Sequence, residues 1–255
     1  GMGGQGLAPS LAPDWSNKVS ALYLFEKSPG LDASGNDLTL TATNGPAVEM
    51  AADAPQGASV LLTTQTSSLT SKAAVFQTPS GADFTFGGWF RHSELAAAAA
   101  IERFETGAGF RLVHDSVGQA ATCLVAGGNM ESKVSSPAQS WPIDQWVHVV
   151  CRLHGKSLSG HVQGVAVGSA QHDQVDSATA DLAVAGSFAG RFDELFYVAG
   201  AISDADIRRI WACGVTGAKC ACKDSNVLEY DDCGRAQPAC DDLPACSSAQ
   251  PQRLK

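Results

Sequence analysis

Helical periodicity is scarce along this chain. Short apolar runs broken by Gly, Ser, Asn and Asp replace it, from ALYLFE (Ala21–Glu26) to RFDELFYVAG (Arg191–Gly200). Segments of this kind at close spacing predict an all-β sandwich or barrel. Further candidate strands are Asp37–Ala42, Ser59–Thr64, Asp83–Arg91, Gly109–Asp115, Ala121–Gly127, Trp146–Gly155, Leu158–Gly164 and Leu182–Gly186. DASGND at Asp32–Asp37 reads as a turn between the first two. The run AAAAAIERF, Ala96–Phe104, is rich in a helix-favouring residue. Its neighbours are strands and it lacks a cap and an apolar stripe, so we read it as a strand from near Ala98.

One helix is well marked. Ser203 suits an N-cap, Asp206 sits at N3, and Ile202 can staple onto Ile207. Ile207, Ile210 and Trp211 form its apolar face, and Gly214 is a C-terminal stop. A helix this short needs docking to be stable.

Hydrophobic residues make up 44% of the 255 and charged residues 17%, which allows a sizeable core. The formal net charge of -9 disfavours nucleic acid and anionic lipid as partners. No apolar stretch is long enough to be a transmembrane segment. Residues 1–13, beginning GMGGQG, read as an expression scar plus a flexible lead-in, which leaves a removed export signal open.

Cysteines constrain the other end. Six of eight, Cys213, Cys220, Cys222, Cys233, Cys240 and Cys246, follow the compact β region, without a CxxC pair or a histidine among them. Zinc sites favour such features, so disulfides are the better reading and metal the weaker one. Residues 215–255 would then be a Cys-rich tail too small for its own core. Cys123 and Cys151 lie in predicted strands, either bridged or as buried free thiols. The compartment implied is oxidising: extracellular, periplasmic or cell surface.

Three stretches in order carry a family resemblance: ALYLFEKSPGLDASGNDLTL; DFTFGGWFR with DQWVHVVCRLHGKSLSGHVQG; and FDELFYVAGAISDADIRRIW. Together, over residues 14–214, they resemble the laminin-G-like, concanavalin A-like jelly-roll superfamily. The chain departs from the usual pattern at His154–Gly155 and Gln163–Gly164, where Asp-Gly is typical. The resemblance implies an antiparallel two-sheet β-sandwich with a docked helix. It also implies a noncatalytic recognition role, with carbohydrate or glycoprotein as ligand and a protein partner as an alternative. A polysaccharide-degrading enzyme of the same fold is the competing class.

Asp193 and Glu194 are adjacent. In a regular strand they point to opposite faces and cannot flank one glycosidic bond. The family's E-x-D-x-x-E glucanase motif is absent, as are GxSxG, a Walker loop and HExxH. The resemblance instead suggests a structural calcium ion, with Asp193 facing the turn and Asp32, Asn36 and Glu26 adding oxygens. The alternative is that Asp193 or Glu194 caps backbone N–H groups or pairs with Arg191 or Arg208. Trp89 is expected in the core, on the face opposite Phe84, Phe86 and Phe90 by strict alternation, or on the side of Phe84 and Phe86 if Gly87–Gly88 form a bulge. For a ligand groove, Arg111 and His114 on one strand and Trp141 in the loop SSPAQSWPID are the candidates. His114 can instead be a packed residue, and Trp141 can instead staple its loop onto the sandwich.

Overall fold

The computed structural model describes residues 19–26, 28–55, 59–76, 81–105, 107–128, 130–173, 175–215, 229–230 and 236–237. Two antiparallel sheets form a sandwich. The first runs β13(Val165–Gln171)–β12(Ser157–Val162)–β11(Val147–His154)–β6(Phe84–His92)–β15(Gly190–Val198)–β4(Ser59–Thr63)–β3(Ala47–Met50), with β1(Val19–Tyr23) also paired to β15. The second runs β10(Met130–Ser135)–β9(Ala120–Gly127)–β8(Ala108–Asp115)–β7(Ala98–Glu105)–β14(Leu182–Val184)–β5(Ser68–Ser71)–β2(Thr41–Thr43). The two-residue strands β16(Glu229–Tyr230) and β17(Ala236–Gln237) pair with each other. The other tail cysteines expected to be bridged, from Cys220 to Cys246, lie outside the described residues.

Register explains the core. Val134, Cys123, Leu112, Ile101, Val184 and Leu69 are cross-strand partners in one row of the second sheet, and all are buried. Facing them, Val147, Phe90, Phe192 and Leu61 form a buried row of the first. Phe86 and Phe110 meet across the gap with ring centroids 4.7 Å apart. Cys123 and Cys151 are bridged, with Cα atoms 5.6 Å apart, so a covalent bond joins β9 of one sheet to β11 of the other. Cys213 is also disulfide-bonded.

The outer face of the first sheet is largely covered. Helix α1 (Asp204–Cys213) packs Ile207 and Ile210 on Val150, Phe196 and Val198. Ser203 Oγ accepts from the Asp206 amide at 3.1 Å, and the Gly214 amide donates to the Ile210 carbonyl. Trp211 Nε1 donates to Gln163 Oε1 at 2.9 Å.

Of the two registers open to β6, the regular one is realised. β6 has no bulge: it pairs continuously with β11 from Phe84 to Phe90, so Trp89 lies on the face opposite Phe84, Phe86 and Phe90. It is still fully buried, against His148 at 5.1 Å. The bulge is in β15 instead, between Asp193 and Phe196, where Glu194 takes φ 45°. Strands β3, β5, β10 and β13 were not predicted. They are short, polar or half-exposed, so they lack a continuous apolar run.

Candidate ligand-binding face

The outer face of the second sheet carries no docked helix among the described residues. One row crosses its full width: Lys133, Leu124, Arg111, Glu102, Ala183, Thr70 and Thr41 are successive cross-strand partners. This is the row next to the buried Val134–Leu69 row, so alternation alone turns it outward. Lys133 and Thr41 are exposed; Arg111, Glu102 and Thr70 are half-buried.

Phe104, two residues beyond Glu102 on the same face of β7, is also half-buried. The Arg111 guanidinium lies 4.3 Å from the centre of its ring, a cation–π contact that holds the long side chain flat. Arg111 is directly opposite Glu102. Burial raises the Glu102 carboxyl above the usual range, and the nearby Arg111 charge partly offsets this. Gly186 makes room: a Cβ there would come within 3.2 Å of Glu102 Oε1.

Chemically, the row offers a fixed fork of donors, a carboxylate acceptor, hydroxyls and an aromatic ring. Those groups suit binding of a polyhydroxylated ligand. Glu102 has a cation and a methyl group as its direct cross-strand neighbours, so no carboxylate stands opposite it.

The sequence-predicted residues are dispersed. Arg111 is on this face, but His114, three residues along β8, points into the sandwich and is fully buried. Its ring stacks on His92 with centroids 4.5 Å apart. Its Nε2 lies 3.0 Å from the Trp141 carbonyl, which can only accept, so that nitrogen carries a proton. Trp141 is not an exposed platform. It is fully buried against Phe90, Phe188 and His114 and staples its loop to the sandwich. Arg111, His114 and Trp141 therefore do not form a groove.

The expected calcium ligands do not fit an ion either. Asp32 Oδ1 accepts from the amides of Leu22 and Ser34; Oδ2 accepts from the Leu38 amide and the Ser34 hydroxyl. Four donors occupy the lone pairs that calcium would need. Asn36 donates its amide to the carbonyls of Val19 and Ser20. Glu26 is exposed beside a cleft of about 240 Å³ lined by Leu24, Phe25, Ser28, Leu31 and Ala33. Asp193 is fully buried, opposite Trp89. Glu194 Oε2 accepts from the Val215 amide at 3.2 Å. Among the described residues, no group of three or more His, Cys, Asp or Glu could hold a metal.

A family profile described as the concanavalin A-like lectin/glucanases superfamily matches residues 63–208. The chain belongs to that superfamily. No curated protein sequence matches this concanavalin A-like chain. Among solved structures, it is similar to the binding domain of Paraclostridial Mosquitocidal Protein 1, with TM-score 0.65 and 12% identity, covering 87% of this chain and 56% of that one. It is similar to domain 4 of AbnA, a GH43 extracellular arabinanase from Geobacillus stearothermophilus, in complex with arabinotriose (TM-score 0.59, 18% identity, 74% and 96% covered). A structure of botulinum neurotoxin type C, whose cell entry depends on two ganglioside molecules, gives TM-score 0.56 at 9% identity, with 77% and 51% covered. The chain thus spans about half the length of the toxin structures it matches. At these identities the likeness is one of fold.

Sequence reasoning missed Glu102, Phe104 and Lys133. The signal was present in the ERFE stretch, where Glu102 and Phe104 alternate with Arg103, but the preceding alanines obscured the strand period.

Proposed function

We propose that this protein is a noncatalytic recognition module that binds carbohydrate on the outer face of its second sheet. The observation that carries the reading is the Arg111–Phe104 pair set beside Glu102 in an outward row. A half-buried ring and a guanidinium held over it set apolar and hydrogen-bonding groups side by side, the pairing such a ligand requires. The superfamily and the arabinotriose complex of a similar fold support the ligand class. The intersheet disulfide supports residence in an oxidising compartment.

A glycan array probed with the chain, followed by calorimetric titration of the best hit, tests this. Phe104→Ala and Arg111→Ala are each expected to weaken binding by about tenfold or more, as loss of one well-formed contact does. A blank array, or affinity unchanged in both variants, overturns it. The raised Glu102 carboxyl favours one second reading, a glycosidase using it as general acid. Release of reducing ends from the bound glycan, abolished in Glu102→Gln, would establish that alternative.

A further inference from the structure

Arg152 meets Asp204, Arg191 meets Glu49 and Arg91 meets Asp53 in closed ion pairs. Arg111 and Glu102 behave differently. They stand directly opposite each other on β8 and β7, both half-buried, yet among the described residues no hydrogen bond or ion pair joins them. The Arg111 guanidinium lies over the Phe104 ring instead, and its buried Nε–H has no acceptor. Burial and the Arg111 charge act on the Glu102 carboxyl, and no donor among the described residues bonds it.

Neighbouring side chains do not relieve the pair. Across the strands, the next residue beyond Arg111 is Leu124 and the next beyond Glu102 is Ala183. Val113 follows Arg111 on the same face of β8, and Phe104 follows Glu102 on that of β7. A cation and an anion thus sit side by side in an apolar surround, each with unused hydrogen-bonding capacity. The backbone leaves room at the carboxylate. Ala185, fully buried, takes φ 62°, a left-handed conformation that is unfavourable for alanine. The next residue, Gly186, lies beside Glu102 Oε1, where a Cβ would stand only 3.2 Å away. Its missing side chain leaves a notch at that oxygen.

We propose that Arg111 and Glu102 together read one hydroxyl of a neutral sugar, and that Gly186 is a specificity-determining residue that keeps the carboxylate open to it. A hydroxyl is donor and acceptor at once, so a single one can accept from the guanidinium and donate to Glu102. A sugar carboxylate or sulfate would satisfy Arg111 and meet Glu102 as a like charge. An ammonium would do the reverse. Either leaves a half-buried charge unpaired, which is costly. The site therefore selects neutral glycans over acidic and free amino sugars. It also selects against chains in which that hydroxyl is methylated, because an ether oxygen has no proton to donate. This inference rests on the reading of the face as a carbohydrate site and names what that site accepts.

Calorimetric titration of the whole chain tests it. The probes are arabinan, xylan, glucan and galactan fragments, their O-methylated forms, and oligogalacturonate. A neutral fragment is expected to bind, with its methylated form and oligogalacturonate weaker by about tenfold or more. Gly186→Ala should weaken the neutral fragment by about tenfold, as loss of a hydrogen bond to a charged group does. Gly186 lies outside the left-handed region, so the unfolding temperature of that variant should hold. Glu102→Gln should weaken the neutral fragment and strengthen oligogalacturonate, because the repelling charge is gone. Binding that Phe104→Ala weakens, but that Gly186→Ala and Glu102→Gln leave unchanged, overturns this inference and leaves the carbohydrate face standing. A preference for the methylated or acidic probes does the same. No binding to any probe, or binding indifferent to Phe104→Ala, overturns both.

Discussion

Asp32 shows how one carboxylate can hold a turn without an ion. Its four accepted hydrogen bonds tie the amides of Leu22, Ser34 and Leu38 and the Ser34 hydroxyl into one knot. Burial pushes its pKa up, but the Leu22, Ser34 and Leu38 amides and the Ser34 hydroxyl outweigh this and hold it below the usual carboxylate range. Asp32→Asn removes one acceptor oxygen and should lower unfolding stability by about 1–3 kcal/mol in urea titration. Addition of a chelator should leave the unfolding temperature of the native chain unchanged; a fall would show that an ion shares the turn. The turn itself was legible from D-x-S-G-N. What holds it was not, because oxygen-rich turns serve metal and backbone alike.

At the scale of elements, alternation located most strands and capping located the helix. Ser203, Ile202, Ile207 and Gly214 each act through local rules that need no knowledge of the fold. Ile207 is fully buried in the smaller apolar cluster on the first sheet. Ile207→Ala should cost about 2–5 kcal/mol, and a circular-dichroism melt reads the loss. A cost near zero would mean that the helix is only loosely docked. Faces were harder to read than elements. The β15 bulge inserts one residue between Asp193 and Phe196, so strict alternation fails at the adjacent carboxylates Asp193 and Glu194. For His114 and Trp141 the packed alternative is realised over the groove, and the sequence could not choose for a related reason. A buried histidine paired to a loop carbonyl has the same local sequence as an exposed one, and only the packing of Phe90, Phe188 and His92 distinguishes them.

The whole molecule should be sensitive to acid. Burial, reinforced by neighbouring His114, lowers the His92 pKa to about 4. Burial, with Arg152 nearby, does the same for His161, although Asp204 opposes it. Both folded values lie below the unfolded value of about 6.5, so the unfolded chain binds more protons between those limits. Stability is therefore full above about pH 6.5 and falls as pH drops towards 4, by up to about 1.4 kcal/mol per pH unit for each histidine. Urea midpoints measured across this range should decline, and His92→Gln with His161→Gln should flatten the slope. An unchanged slope in the double variant would assign the acid sensitivity elsewhere.

Val19 stands directly opposite Val198, at the end where β1 begins and β15 finishes. Tension between these two points would therefore open the β1–β15 ladder like a zip, one rung after another, rather than shear all rungs at once. The stretch from Cys123 to Cys151 is spared, since its crosslink carries the load past the strands between. Mechanically, this sandwich yields first at its own seam and keeps its middle whole.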